Sequence, residues 1–242
     1  MSVAGGDAIE VSGKGSSCQA TKCQLLQSTL SGAVAANHGI MIMRDCMCEG
    51  SKQLGGYVAL HGATITLINC TSEKDVRGCY VKAASLFCEK ILIYKSEGQL
   101  VKAECAADVA LVECRLLHAH TTHGAVARSR GTMLTMRRCV VTLTHDSSVR
   151  ICDKARGRLS GCWLCRSKQS SGLTVTGEDT VVEASKCTAT KNRCVGACAS
   201  PGPQVTITDS VKTGNGTCVV NRRATGECMY ECPCEFDGGE GV

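Results

Sequence analysis

The stretch Ala63-Thr64-Ile65-Thr66-Leu67 alternates apolar and polar residues, and Gln204-Val205-Thr206-Ile207-Thr208 does the same near the other end of the chain. Alternation with a period of two is typical of a β-strand with one face buried, whereas a helix would show a period near 3.6. In both stretches a Cys or Ser follows three residues after the last apolar residue, at Cys70 and Ser210. This combination defines a motif that can be traced along the chain.

The motif recurs through most of the sequence. Its last position falls at residues 23, 46, 70, 96, 114, 139, 162, 187 and 210. A second column of apolar residues, often preceded by Gly at a turn, consists of Val34, Val58, Val81, Val101, Val126, Val149 and Val175. About 23 residues per repeat, with short strands, suit one coil of a β-helix. The sequence therefore predicts an all-β fold: a single-stranded parallel β-helix of about nine coils over residues 1–216, with residues 217–242 as a Cys-rich cap or tail.

Leucine-rich repeats have a similar period, but their L-x-x-L-x-L-x-x-N pattern does not recur here. The repeat between about residues 8 and 215 resembles the right-handed parallel β-helix superfamily, which includes pectate lyases and intracellular scaffold repeats. The resemblance is one of architecture and points to no single family. It implies that the coils are right-handed.

Cysteine is abundant, with 20 residues in 242. The first residues carry neither the basic region nor the apolar segment of a secretory leader, so we expect a reducing, intracellular location and free thiols. Seven cysteines at the last motif position should form a structural ladder that packs inside the coils. This cysteine ladder comprises Cys23, Cys46, Cys70, Cys114, Cys139, Cys162 and Cys187. No cofactor is expected.

Two groups of residues have side chains that bind transition metals. His118, His120 and His123 form the one histidine cluster, which is either a metal site or an exposed polar turn. Near the C-terminus, four cysteines are candidates for a zinc site or for a Cys-rich cap, although their spacing is not that of paired C-x2-C knuckles. These candidates are Cys218, Cys228, Cys232 and Cys234.

Carboxylates bear on catalysis because β-helix enzymes commonly use clustered Asp residues with an Arg or Lys to act on polysaccharides. The best acidic neighbourhood places Asp153 near Glu178 or Asp179, one coil away. The sequence has no dense run of Asp, and aromatic residues that could grip a sugar make up 3% of the chain. It therefore predicts no catalytic residues, with a carbohydrate-active lyase or hydrolase as the alternative.

Basic residues concentrate between residues 128 and 168, where ten Lys and Arg face two Asp, a net charge of +8 in a chain of net charge +5. We expect these side chains to form a basic belt that binds an acidic partner, and an acidic protein surface is favoured over nucleic acid because no aromatic residues interleave with the charges. The basic belt comprises Arg128, Arg130, Arg137, Arg138, Arg150, Lys154, Arg156, Arg158, Arg166 and Lys168.

The first coil is expected to start close to the N-terminus, near Ala8, which leaves too few residues for a capping helix. An uncapped end exposes unpaired strand edges that another protein can cover. The sequence thus predicts a non-enzymatic scaffold subunit of a large intracellular, cytoplasmic assembly, such as a ciliary or cytoskeletal one. A second alternative is an RNA-associated scaffold of a ribonucleoprotein. No apolar stretch approaches the length of a membrane span.

Overall fold

The computed structural model describes residues 6–216, and every regular element in that range is a β-strand. The strands form three parallel sheets, and each coil of the chain contributes one strand to each sheet. Parallel pairing between equivalent positions of successive coils fixes the register, as Ile65 pairs with Met41 in the coil before and with Leu86 in the coil after. The predicted all-β parallel β-helix of about nine coils is therefore confirmed.

Sheet 1 contains β1 (Ile9–Ser12), β4 (Ser31–Ala36), β7 (Gly55–Leu60), β10 (Cys79–Lys82), β13 (Val101–Glu104), β16 (Ala125–Arg128), β19 (Val149–Cys152), β22 (Leu173–Thr176) and β25 (Ala197–Ala199). Sheet 2 contains β2 (Ser17–Thr21), β5 (Ile40–Arg44), β8 (Thr64–Ile68), β11 (Ser85–Glu89), β14 (Asp108–Val112), β17 (Met133–Arg137), β20 (Arg156–Ser160), β23 (Val181–Ser185) and β26 (Gln204–Thr208). Sheet 3 contains β3 (Gln24–Leu26), β6 (Met47–Glu49), β9 (Thr71–Glu73), β12 (Leu92–Ser96), β15 (Arg115–Ala119), β18 (Val140–Thr142), β21 (Trp163–Cys165), β24 (Thr188–Thr190) and β27 (Val211–Thr213).

The core runs along the axis of the solenoid and is filled by alternate residues of each strand. In β8, Ile65 and Leu67 are fully buried, whereas Thr64 is exposed on the outer face. Small and medium side chains dominate this interior, which explains the low aromatic content. Tyr57 is the largest fully buried side chain among the described residues, and its single hydroxyl proton is shared between the carbonyl oxygens of Thr71 at 2.9 Å and Cys46 at 3.2 Å. Its polar group is therefore satisfied inside the core.

Single residues in the left-handed conformation turn the chain at its corners. Between sheet 2 and sheet 3 every coil has one such residue, with φ between +49° and +62°. These residues are Lys22, Asp45, Asn69, Lys90, Glu113, Arg138, Gly161, Lys186 and Asp209. Left-handed backbone is disfavoured for residues with a Cβ. The parallel pairing on both sides of each corner must therefore hold these residues in place.

The cysteine ladder lies just after this corner, at the first position before sheet 3. From Cys46 to Cys187 its side chains are buried, and Cys23 in the first coil is partly buried. Five of the seven thiols, from Cys46 to Cys162, bond to carbonyl oxygens of the preceding coil, as Cys139 does to Leu111 at 3.3 Å. In the fourth coil the equivalent residue is Ile91, because Leu86 and Cys88 pair with Ile65 and Leu67.

The sequence-based assignment of Ser96 to this column is therefore wrong. Ser96 lies at the end of β12 and pairs with Ala119 in sheet 3. The spacing of Ile91, Ile93 and Ser96 matches the motif, but these residues lie in and next to β12, one strand after the true motif. The true motif was missed because Ile91 replaces the expected cysteine at its last position. With Ile91 in the column, the spacing between successive column positions becomes more uniform and ranges from 21 to 25 residues.

The predicted valine column is also wrong in part, because it mixes two faces of sheet 1. Val81 pairs with Ala59, and both point into the core, whereas Val58 pairs with Tyr80 on the outer side. Val34 and Val58 instead form a small apolar cluster outside the main core. A one-residue shift along a strand reverses the face of a side chain, and the valines alone do not reveal it.

The described residues contain no helix of the length and apolarity that crossing a lipid bilayer requires. Residues 217–242, the predicted cap or tail with its candidate zinc ligands Cys218, Cys228, Cys232 and Cys234, lie outside the described range. So do the first five residues, and the uncapped N-terminal end stays a prediction.

Candidate active site

His123 is the most deeply buried histidine of the described residues and lies at the corner between β15 and β16. It is 8% exposed. Asp146 occupies the equivalent corner one coil later, 23 residues along the chain, and Arg150 follows on β19. Regular stacking of the coils thus brings a histidine, a carboxylate and a guanidinium together, although they are far apart in the sequence.

The contacts in this group define which histidine nitrogen carries the proton. His123 Nε2 lies 3.2 Å from Nη1 of Arg150 and 3.5 Å from Oδ2 of Asp146. An arginine can only donate, so Nε2 accepts the hydrogen bond from Arg150. The proton of the neutral ring therefore lies on Nδ1, and the long contact with Asp146 is electrostatic rather than a hydrogen bond.

The environment favours the neutral form of His123. Burial lowers the pKa of His123, and the nearby Arg150 lowers it further, while the carboxylate of Asp146 partly offsets both effects. A histidine whose pKa lies below its usual value of about 6.5 is unprotonated at neutral pH. Its Nε2 lone pair can then act as a general base once Arg150 releases it.

Three buried polar atoms around this group have no hydrogen-bond partner in residues 6–216: Nδ1 of His123, Nε of Arg150 and Oγ1 of Thr122. A buried polar atom without a partner costs about 1–3 kcal/mol. Each of these atoms can donate a hydrogen bond to an oxygen. These atoms are shielded from solvent, so they add to the energetic cost of this arrangement and do not by themselves mark a ligand site.

A second charged network lies on the same outer face of sheet 1. Arg150 pairs in register with Val126, and Val126 pairs with Lys102 on the next strand. Glu104, beside Lys102, accepts hydrogen bonds from Tyr80 and Arg128. Burial alone would raise the pKa of Glu104, but its bonds to Tyr80, Lys102 and Arg128 together lower it to about 2. Lys102 and Arg128 thus both already pair with the Glu104 carboxylate, whereas the guanidinium of Arg150 has spare donors.

The basic belt does not form one docking face, because it runs around all sides of the solenoid. Arg128 and Arg150 lie on sheet 1, and Arg156, Arg158 and Arg137 lie on sheet 2. The remaining members occupy the corners, namely Arg130, Arg138, Lys154, Arg166 and Lys168. All ten side chains are exposed except that of Arg150, which is partly buried.

Acidic neighbours also neutralise part of the belt. Arg138 pairs with Glu113 at 2.6 Å, Lys154 with Asp179 at 3.1 Å, and Arg158 with Glu183 at 3.2 Å. Arg128 pairs with Glu104. The net charge of this segment therefore overstates the charge that a partner would meet, since acids from other coils reach it. Binding of an acidic protein or a nucleic acid to the belt stays a prediction.

One cleft of the belt does gather cations beside a carboxylate. It lies where the chain enters sheet 2 and is lined by Arg130, Lys154, Arg156 and Asp179, together with Gly131, Thr132 and Met133. Its volume is about 460 Å³. The predicted acidic neighbourhood is only partly present here, because Asp179 bonds to Lys154, while Asp153 is exposed at the preceding corner.

The structure separates the three histidines of the predicted cluster. His118 and His120 are both exposed. Burial lowers the pKa of His118, and the neighbouring charges of His120, Lys168 and Lys95 lower it further. His123 faces Asp146 and Arg150 instead. No group of three metal-binding side chains forms among residues 6–216.

The His123 group was missed in the sequence because nothing local marks it. The available signal is the 23-residue step from His123 to Asp146, which equals one coil. Applying the repeat to the histidines, as well as to the cysteines, would have paired these two residues.

No family model matches the chain, and no curated protein matches it. Solved structures with a similar architecture include a mutant of the periplasmic alginate epimerase AlgG, at 8% identity and a TM-score of 0.49, over 86% of this chain and 74% of that one. The unmutated AlgG gives 9% identity and a TM-score of 0.42 over the same shares. The A-module of the Azotobacter vinelandii mannuronan C-5 epimerase AlgE4 gives 9% identity and a TM-score of 0.38, over 93% of this chain and 91% of that one.

These neighbours are epimerases, which contradicts the prediction of a non-enzymatic scaffold. They give no support to a ciliary or cytoskeletal placement. The physical reason for the error lies in two features of the chain. The basic belt is dispersed around the solenoid and partly neutralised, and residues able to transfer a proton meet only after folding. At such low identities the likeness extends to the architecture alone.

Proposed function

We propose that this protein is a carbohydrate-active enzyme that removes a proton from an acidic sugar at the carbon next to the carboxylate. The observation that carries this proposal is the contact between His123 Nε2 and Arg150 Nη1 at 3.2 Å, in a buried group beside Asp146. It combines a neutral base with a cation that can bind a carboxylate. The names of the similar structures, which refer to alginate and mannuronan, suggest polyuronates as the first substrates to try.

The chemistry follows from the geometry of the group. A sugar carboxylate that pairs with Arg150 would draw its guanidinium away from His123 and free the Nε2 lone pair. Nε2 then accepts the proton from the adjacent carbon, and the electron pair of the broken C–H bond spreads into the carboxylate. Arg150 stabilises the charge that develops there. Asp146 stabilises the resulting imidazolium.

Two products can follow from this carbanion. Return of a proton to the opposite face inverts the carbon, and departure of the neighbouring glycosidic oxygen cleaves the chain by elimination. Both begin with the same proton transfer, but elimination leaves a double bond and no hydrogen at that carbon. The same incubation is therefore read both for deuterium and for the unsaturated chain ends that elimination produces. The protein is incubated in D2O with polymannuronate, polyguluronate or polygalacturonate, and deuterium at the carbon next to the carboxylate is measured by NMR.

We expect the protein to introduce deuterium or unsaturated ends into at least one of these polymers. His123→Ala and Arg150→Ala should each lower the rate about 100-fold or more, because each removes a group that acts on the reacting atoms. His120→Ala is the matched control, since His120 is exposed three residues away and should leave the rate unchanged. Absence of both deuterium and unsaturated ends from all three polymers, or full activity of His123→Ala, would refute the proposal.

A further inference from the structure

The cleft of about 460 Å³ on the sheet 2 side has a charge pattern that the proton transfer at His123 does not use. Arg130, Lys154 and Asp179 come from three successive coils at equivalent corners, and Arg156 follows Lys154 on β20. Strands of neighbouring coils lie about 4.8 Å apart, so the cations are held close to one another. Like charges at such distances repel, and a bound anion would relieve the repulsion.

Two of these cations are available to a ligand. Within residues 6–216 neither Arg130 nor Arg156 forms an ion pair, and both side chains are exposed. Lys154 does have a partner, Asp179, at 3.1 Å. That carboxylate is itself highly exposed and lines the same cleft, so its place beside Lys154 is one that the carboxylate of a ligand could take. An incoming carboxylate would compete with Asp179 for Lys154.

The cleft lies close to the candidate active site along the chain. Lys154 is four residues after Arg150, on the turn that joins β19 to sheet 2. Four residues of extended chain span at most about 13 Å. A polymer with a carboxylate on every unit could therefore engage Arg150 and the cleft at once, whereas a single sugar has one carboxylate and could engage only one of them.

We infer that the cleft of Arg130, Lys154 and Arg156 is a second binding subsite for the carboxylates of an acidic polysaccharide. This inference rests on the proposed function for the identity of the polymer. The subsite would hold a neighbouring part of the same chain whose reacting unit lies at His123 and Arg150. Asp179 occupies part of it when no ligand is bound.

Binding can be measured without turnover in the His123→Ala protein, by calorimetry with a polymannuronate oligomer long enough to span both places and with the free monosaccharide. Adding Arg130→Ala and Arg156→Ala should weaken binding of the oligomer about tenfold and leave the monosaccharide unaffected, because charge-assisted bonds to two guanidinium groups are lost. The matched control adds Arg166→Ala and Lys168→Ala, which removes two exposed charges of the same belt on sheet 3's side.

Asp179→Asn gives a test with the opposite sign. It removes the competing carboxylate and keeps the shape of the side chain, so the oligomer should bind severalfold more tightly. Equal weakening by the Arg166 and Lys168 control would overturn the subsite, because the effect would then be one of overall charge. No tightening by Asp179→Asn would overturn it as well, because Asp179 would then not compete with a ligand carboxylate. The activity measurement of the unsubstituted protein separates failure of the subsite from failure of the proposed function. Turnover by the unsubstituted protein, together with unaltered oligomer binding in the Arg130 and Arg156 variant, would refute only the subsite. Tight oligomer binding without turnover by the unsubstituted protein would refute only the proposed enzyme activity.

Discussion

Arg128 donates a hydrogen bond from Nε to Oε2 of Glu104 at 2.6 Å, across two adjacent strands of sheet 1. Glu104 is nearly buried, and the pKa of its carboxyl is lowered to about 2. A carboxylate whose pKa is lower in the folded state contributes stability above its unfolded pKa, and that contribution is lost as the pH falls through the folded value.

We therefore expect Glu104→Gln to lower the free energy of unfolding by about 2 kcal/mol at pH 7, allowing for the exposure of Arg128. The difference from the unsubstituted protein should shrink below pH 4.5 and vanish near pH 2. Urea unfolding across this range measures it. Glu89→Gln is the control, since its ion pair with Lys90 is long and exposed. A difference that does not change with pH would contradict the assignment.

Cys139 and Cys162 of the cysteine ladder should be chemically unreactive in the folded protein. Hydrogen bonding with the neighbouring thiol and burial raise the pKa of both Cys139 and Cys162 to about 12. Thiolates, not thiols, react with iodoacetamide. Mass spectrometry of briefly alkylated protein should find label on the exposed Cys105 and none on these two residues until denaturant is added. Equal labelling of all three would show that the ladder is open to solvent.

Gly32 makes a close contact that a larger residue would disturb. A Cβ at this position would lie 2.7 Å from the carbonyl oxygen of Gly56 and 2.6 Å from Sγ of Cys48. The backbone of the next coil cannot move away without breaking its pairing, so Gly32→Ala should destabilise the fold by about 1–3 kcal/mol. Thermal unfolding measures the loss. Gly6→Ala meets no atom within 4 Å and should have no effect.

Asp146 should set the pH dependence of the proposed proton transfer. Its carboxylate raises the pKa of His123 against the lowering by burial and Arg150. A base acts only when unprotonated, so the rate should rise with pH through this pKa. Asp146→Asn removes the raising effect and should shift the acidic limb of the rate profile to lower pH. Asp153→Asn, an exposed neighbour, should leave it unchanged; a shift to higher pH in Asp146→Asn would refute the electrostatic role.

The sequence was sufficient to predict the solenoid because alternation and repeat length are local properties. Its register was harder to predict, since Ile91 stands where a cysteine was expected and Ser96 imitates the motif one strand later. The candidate site was hidden for another reason. His123, Asp146 and Arg150 meet through stacking of coils, and the short spacing of His118 and His120 drew attention to a metal site instead.

The strand order in each sheet means that every strand bonds only to its counterparts one coil before and one coil after. Such a molecule behaves as a one-dimensional chain of linked units, in which opening starts at the ends and spreads inward. His123 lies between the fifth and sixth coils of the described part, and Arg150 in the seventh. Complete coils therefore lie on either side of this group. We expect the group to keep its geometry while the terminal coils open and close.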